Sequence, residues 1–91
     1  MTFEWDPKKS VENVLKHGVS FEIAQKTFFD VNRKIYCDAK HSQHEQRYYC
    51  CGKIDEEILT VRFTIRGEKI RIIGAGYWRK GRKLYYENEE E

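Results

Sequence analysis

The sequence predicts an α+β fold. Two observations carry the prediction. Between residues 6 and 28 apolar residues recur at helical spacing, with capping signals at both ends of the first run. From Arg33 onward the period becomes two, and short alternating runs are separated by turn residues. Helices first and strands afterwards favour segregated layers, here a two-helix hairpin packed on an antiparallel sheet of four to five strands, with the C-terminal helix expected on the same face.

Each element follows in order. Thr2–Trp5 alternates and reads as a short strand. Asp6-Pro7 starts a helix, with Asp as N-cap and Pro at the first position, where its missing N–H is not needed. Val11, Val14 and Leu15 form an apolar stripe expected to face the core. Lys16 and His17 suit the helix C-terminus, where His17 reads first as a partner for the dipole, and Gly18 follows as C′ residue. Ser20 caps a second helix, with Phe21, Ala24 and Phe28 on one face. Arg33–Cys37 and Gln46–Ile54 are strands flanking a polar loop, Asp38–Glu45. In Ile58–Ile65, Leu59, Val61, Phe63 and Ile65 face one side, and Thr60, Arg62, Thr64 and Arg66 the other. A turn at Arg66–Lys69 leads into Ile70–Gly74. Gly74-Ala75-Gly76 breaks or bulges that strand, and Tyr77–Tyr86 runs from a strand end into a basic C-terminal helix.

Composition narrows the class. At 91 residues the chain is expected to form a single domain over 1–91. The net charge of +2 conceals a division. Residues 58–86 carry eight basic residues and one acid, Glu68, whereas residues 87–91 carry four glutamates. Those glutamates oppose the dipole at a helix C-terminus, so 87–91 is expected to be a frayed acidic tail. No apolar run reaches the ~18 residues of a membrane span. The N-terminus has neither basic n-region nor apolar stretch, so no secretory leader is expected. Three cysteines, two of them adjacent, make a disulfide framework improbable and fit a reducing cytoplasm.

Four constellations bear on chemistry. Arg62, Arg66 and Arg71 are placed on one sheet face, continued by Arg79, Lys80, Arg82 and Lys83, with Tyr77, Trp78, Tyr85 and Tyr86 interleaved. Such a set supplies phosphate contacts and base-stacking surfaces, or else forms a solvated face with tyrosines closing the core. The loop 38–47 holds His41, His44, Glu45 and Arg47. Metal-free RNA cleavage needs a base for the 2′-OH, an acid for the 5′-oxygen and a cation for the phosphorane, which these types can supply. The plain alternative is that Ser42 caps a helical turn with Glu45. Cys37, His41, His44, Cys50 and Cys51 are spaced C-x₃-H-x₂-H-x₅-C-C, unlike common zinc modules, so no metal or other cofactor is expected. Gly74-Ala75-Gly76 is a weak phosphate-loop signal, better read as a bulge.

Several motifs together resemble the BrnT-type toxins of bacterial type II toxin–antitoxin pairs. They are Phe3-Glu4-Trp5-Asp6-Pro7-Lys8, Asn13, and Lys16-His17-Gly18-Val19-Ser20-Phe21-Glu22-Ile23-Ala24. Asp38…His41-Ser42…Glu45…Arg47, Thr64-Ile65-Arg66 and Ile70-Arg71-Ile72-Ile73 follow in order. The resemblance implies a RelE-like ribonuclease fold and metal-independent cleavage of RNA that arrests translation. It also implies neutralisation by a BrnA-type antitoxin that binds DNA and represses the shared operon. His41, Glu45, Arg47, Arg66 and Arg71 are the charged positions it carries over. Many members read Ser-Ala-Arg where this chain reads Gly74-Ala75-Gly76, so one phosphate-holding arginine is absent, and Arg79 or Arg82 is the expected substitute. On this reading His41 and Glu45 are the acid–base pair. Arg66, Arg71 and Arg79 stabilise the phosphate. Arg47, Arg62, Tyr77, Trp78, Lys80, Arg82, Lys83, Tyr85 and Tyr86 bind RNA, with Tyr85 or Tyr86 orienting the strand or acting as a weak acid. The competing reading is a non-catalytic module that binds nucleic acid or protein through the same basic face.

Overall fold

A computed structural model describes residues 1–87. Strand β1 (Thr2–Glu4) leads into helix α1 (Pro7–His17), the one-turn helix α2 (Phe21–Ala24) and a 3-10 continuation (Gln25–Phe29). Strands β2 (Lys34–Cys37), β3 (Arg47–Ile54), β4 (Glu57–Arg66) and β5 (Lys69–Gly76) follow, and helix α3 (Arg79–Tyr86) closes the chain. A 3-10 turn, Ala39–His41, sits in the β2–β3 loop.

The sheet order is β1-β5-β4-β3-β2. β2 to β5 form the expected antiparallel meander. β1 differs: it adds to β5 in parallel, pairing Phe3 with Ile70 and Glu4 with Arg71, so the five-stranded sheet is mixed. The long connection through α1 and the rest of the sheet is what makes a parallel pair possible. The β4–β5 register shifts between Arg62 and Phe63, which pair with Gly74 and Ile72, so the irregularity falls at Ile73; the expected break at Gly74-Ala75-Gly76 does not occur, and those residues pair with Arg62, Val61 and Thr60.

The caps form as the sequence requires. Asp6 accepts from the Lys8 amide at 2.9 Å, Gly18 takes φ +73, and Ser20 accepts from the Ile23 amide at 3.2 Å. The face of α1 is the exception. Its apolar stripe is exposed, with Val11 at 61%, Val14 at 44% and Leu15 at 82%, and the helix buries Ser10 and Asn13 instead. Ser10 accepts from the Phe21 amide at 3.0 Å. Asn13 binds the Val19 carbonyl at 2.8 Å and both backbone groups of Ala75. Hydrogen bonding, not apolar area, decides which side of α1 docks.

Phe21, Ala24, Phe28, Cys50, Leu59, Val61, Phe63, Ile72 and Ala75 fill the main core on one sheet face. Ile65, expected among them, is half-exposed at the strand end. Helix α3 packs on the opposite face, which corrects the expectation that the helices share one side. A Cβ on Gly81 would overlap Thr60 Oγ1 and approach Cys51 Sγ, so only glycine lets α3 come this close. Cys51, Ile58 and Tyr85 form a second small core there. Cys50 and Cys51 therefore do point to opposite faces. The expected acidic tail lies outside the described residues except for Glu87, whose amide reaches the Leu84 carbonyl at 3.3 Å. Among the described residues no helix is long and apolar enough to cross a membrane.

Candidate active site

The site begins with the β2–β3 loop. Asp38 donates its amide to the Arg47 carbonyl at 2.8 Å, which closes the loop base. Ser42 does not cap a following helix. Its hydroxyl donates to the Asp38 carbonyl at 2.6 Å and accepts from the Arg47 amide at 2.9 Å, lacing the loop across its neck. The 3-10 turn brings residues three apart nearly into line. Asp38 and His41 are therefore stacked, and Nδ1 of His41 lies 2.9 Å and 3.1 Å from the two carboxylate oxygens. A neutral ring so held carries its proton on Nδ1 and leaves Nε2 as the basic nitrogen.

The register aligns the sheet cations. Arg47 and Arg71 both pair with Thr64, and Arg62 and Arg66 lie two residues either side of it. Alternation puts all four on one face. Arg66 forms a forked contact with Glu45, Nη2 to Oε1 at 3.2 Å and Nε to Oε2 at 3.5 Å. The Arg66 hydrogen bond holds the Glu45 carboxyl below its usual range, assisted by the charges of Arg47 and Arg71. Glu45 is thus a settled carboxylate at neutral pH. Arg71 is half-buried and donates to Glu4 on β1 at 3.1 Å, while Lys69 approaches the same residue's carboxylate at 3.9 Å. Arg62 has no carboxylate partner among the described residues; its guanidinium lies 5.7 Å from the Trp78 ring centre.

Lys40, His41, His44, Glu45, Arg47 and Arg66 line an open cleft of about 410 Å³. A second cleft of about 310 Å³ shares Lys40 and His41 with it and continues to Tyr49, Arg62, Trp78 and Lys80. His41 stands at the junction. The structure thus gathers His41, Glu45, Arg47 and Arg66 in one place and sets Arg62, Trp78 and Lys80 beside them.

Other expected site residues lie elsewhere. Arg79, Arg82, Tyr77 and Tyr86 line another depression with Glu56 and Glu57 at the β3–β4 hairpin, which shares only Trp78 with the second cleft. The sequence places Arg79 beside Lys80, but one helical step turns the two apart by ~100°. Tyr85 is buried, and its hydroxyl donates to Asp30 at 2.5 Å, so it serves the fold. Lys83 is exposed on α3. Burial, with Cys51 beside it, pushes the Cys50 thiol up to about 12. Among the described residues no three His, Cys, Asp or Glu side chains cluster to hold a metal ion.

Two contributors escape the sequence reading of roles. Asp38 belongs to the loop motif, and its position three residues before His41 is the one signal of its part in orienting the ring. His17, read as a dipole partner, also sets its ring edge-on to Trp78, with centroids 5.3 Å apart. Residues 5–81 match a family model described as the ribonuclease toxin, BrnT, of type II toxin–antitoxin systems. No curated protein matches.

Proposed function

The chain belongs to the BrnT family of ribonuclease toxins, and we propose that it cleaves RNA without a metal ion at the cleft between His41 and Arg66. The observation that carries this reading is the pairing of a carboxylate-oriented imidazole with a carboxylate-oriented guanidinium on one cleft. His41, aligned by Asp38, takes the 2′-OH proton at Nε2. The 2′-oxygen attacks phosphorus, the P–O5′ bond breaks, and a 2′,3′-cyclic phosphate forms. Arg66 and Arg47 meet the charge that builds on the phosphoryl oxygens. His44, in the same cleft, is the second imidazole and donates a proton to the departing 5′-oxygen. Glu45, already ionised and bound to Arg66, acts as its positioning residue and not as the acid. Arg71 contributes long-range positive charge from behind its Glu4 partner.

The test uses purified chain and RNA in excess EDTA. The expected products end in 2′,3′-cyclic phosphate and 5′-OH. Dependence on added divalent metal, or 5′-phosphate products, would refute the mechanism. We further propose that expression arrests translation and that a BrnA-type, DNA-binding antitoxin neutralises the toxin and represses the operon. The engagement of Arg66 and Arg71 by carboxylates favours one second reading, a non-catalytic binding face. Harmless expression without an antitoxin would support it.

A further inference from the structure

We propose that the groove continues beyond the active-site cleft into a second phosphate subsite, formed by Arg62, Lys16, Lys9 and His17, which holds the RNA strand flanking the scissile bond. The inference rests on the RNA reading above and extends it along α1 from Lys9 to His17. Three observations carry it.

The clefts adjoin one another. The active-site cleft and the second share Lys40 and His41, and the second shares Arg62 and Trp78 with a third, about 200 Å³, which Lys9, Lys16 and His17 also line. The subsite also offers cations that no carboxylate holds. Arg66 in the first cleft is bound by Glu45, whereas Arg62 and Lys16, like Arg47 and Lys40, have no carboxylate partner among the described residues. Glu12 lines the third cleft too, but it faces Lys9 only at 4.0 Å across exposed side chains, a contact that salt readily screens. Finally, Arg62 rests against a ring and not a carboxylate, its guanidinium 5.7 Å from the Trp78 ring centre. The Trp78 indole rests against Gly76, where a Cβ would come within 2.5 Å of the ring, and it presents itself to Arg62 on one side and His17 on another. A guanidinium held by a ring keeps its full charge for a phosphate.

Fluorescence anisotropy with 2′-O-methyl oligoribonucleotides, which cannot be cleaved, tests the subsite separately from catalysis. A tetramer reaches only one cleft, and a dodecamer spans the groove. The intact chain is expected to bind the dodecamer more tightly by about tenfold or more. Lys9→Ala/Lys16→Ala should reduce that ratio severalfold. It should also lower the slope of log affinity against log salt by roughly 0.7 for each phosphate left without its lysine. Gly76→Ala, which displaces Trp78, should reduce the ratio while circular dichroism stays unchanged. Equal binding of both lengths by the intact chain, or a ratio and salt slope unmoved in the lysine variant, overturns the subsite. Length-dependent binding with no cleavage of ordinary RNA sustains the subsite and overturns the ribonuclease mechanism instead.

Discussion

The Asn13 side chain pairs with the backbone of Ala75 as a neighbouring strand would. Its Nδ2 donates to the Ala75 carbonyl at 2.9 Å, and its Oδ1 accepts from the Ala75 amide at 3.2 Å. β1 covers β5 only from Lys69 to Arg71, so the β5 edge beyond would otherwise bury unpaired groups. Asn13→Ala should therefore destabilise the protein by about 3 kcal/mol, since each orphaned buried group costs about 1–3. Asn13→Asp should cost at least as much, because a carboxylate cannot donate to Val19 or Ala75. Urea unfolding at neutral pH measures both. A loss below ~1 kcal/mol in either would show that water replaces the amide.

The opposite expectation holds for the apolar side of α1. Leu15→Lys and Val11→Gln should change stability by no more than about 0.5 kcal/mol, because both side chains already face solvent. Thermal unfolding checks this. A fall in Tm of ~8 °C or more for Leu15→Lys would mean that the stripe is covered after all.

These two faces show what is legible in the sequence. Caps, strand boundaries and the alternation of β4 are local, and each strand lies within a residue or two of its expected position. The docking face of α1 is not local. Val11, Val14 and Leu15 have the right period, but the β5 edge offers an amide and a carbonyl that only Asn13 can satisfy. The parallel addition of β1 and the placement of α3 on the second face likewise depend on distant partners, Arg71 for Glu4 and Thr60 for Gly81. At the site, the loop motif and the sheet arginines are readable because β-register follows from alternation. Arg79 and Tyr85 are not, because their direction depends on how α3 is rotated over the sheet.

Asp30 ties α3 to β3 by accepting from the Tyr85 hydroxyl and from the Lys53 amide at 2.7 Å. Partial burial pushes its carboxyl up, but the bonds from Tyr85, Lys53 and Asn32 outweigh it and leave the value lowered. A carboxyl lowered on folding stabilises above its unfolded value, and the contribution is lost as pH falls through the folded one. Asp30→Asn should cost about 1–2 kcal/mol at pH 7, and the difference from the native chain should shrink below the ordinary carboxylate range. Unfolding curves across the acid limb measure it. A difference that stays constant with pH would show that the charge of Asp30 is not involved.

Asp38→Asn leaves a side chain of the same shape but presents an amide or a carbonyl to His41 in place of an ionised carboxylate. If Asp38 sets the tautomer, RNA cleavage should fall by about a hundredfold or more while oligonucleotide affinity stays within about twofold. Single-turnover cleavage and binding measured together separate the two. An equal loss in both would make Asp38 a loop brace and nothing more.

Glu45 and Arg66 can be separated by a double-mutant cycle. As the positioning residue of Arg66, Glu45 has no task once the guanidinium is gone. Glu45→Gln alone should slow cleavage by about tenfold, since the amide keeps one acceptor for Arg66 but removes the charge. Arg66→Ala alone should slow it by about a hundredfold or more, as expected when a transition-state cation is removed. The double variant should then match Arg66→Ala within about twofold, because the first loss already contains the second. A general base would behave otherwise: its removal would slow the reaction by a further large factor whether or not Arg66 is present. Rates for the four proteins, measured at saturating enzyme and one pH, give the coupling directly. Additive losses would transfer the role of base from His41 to Glu45.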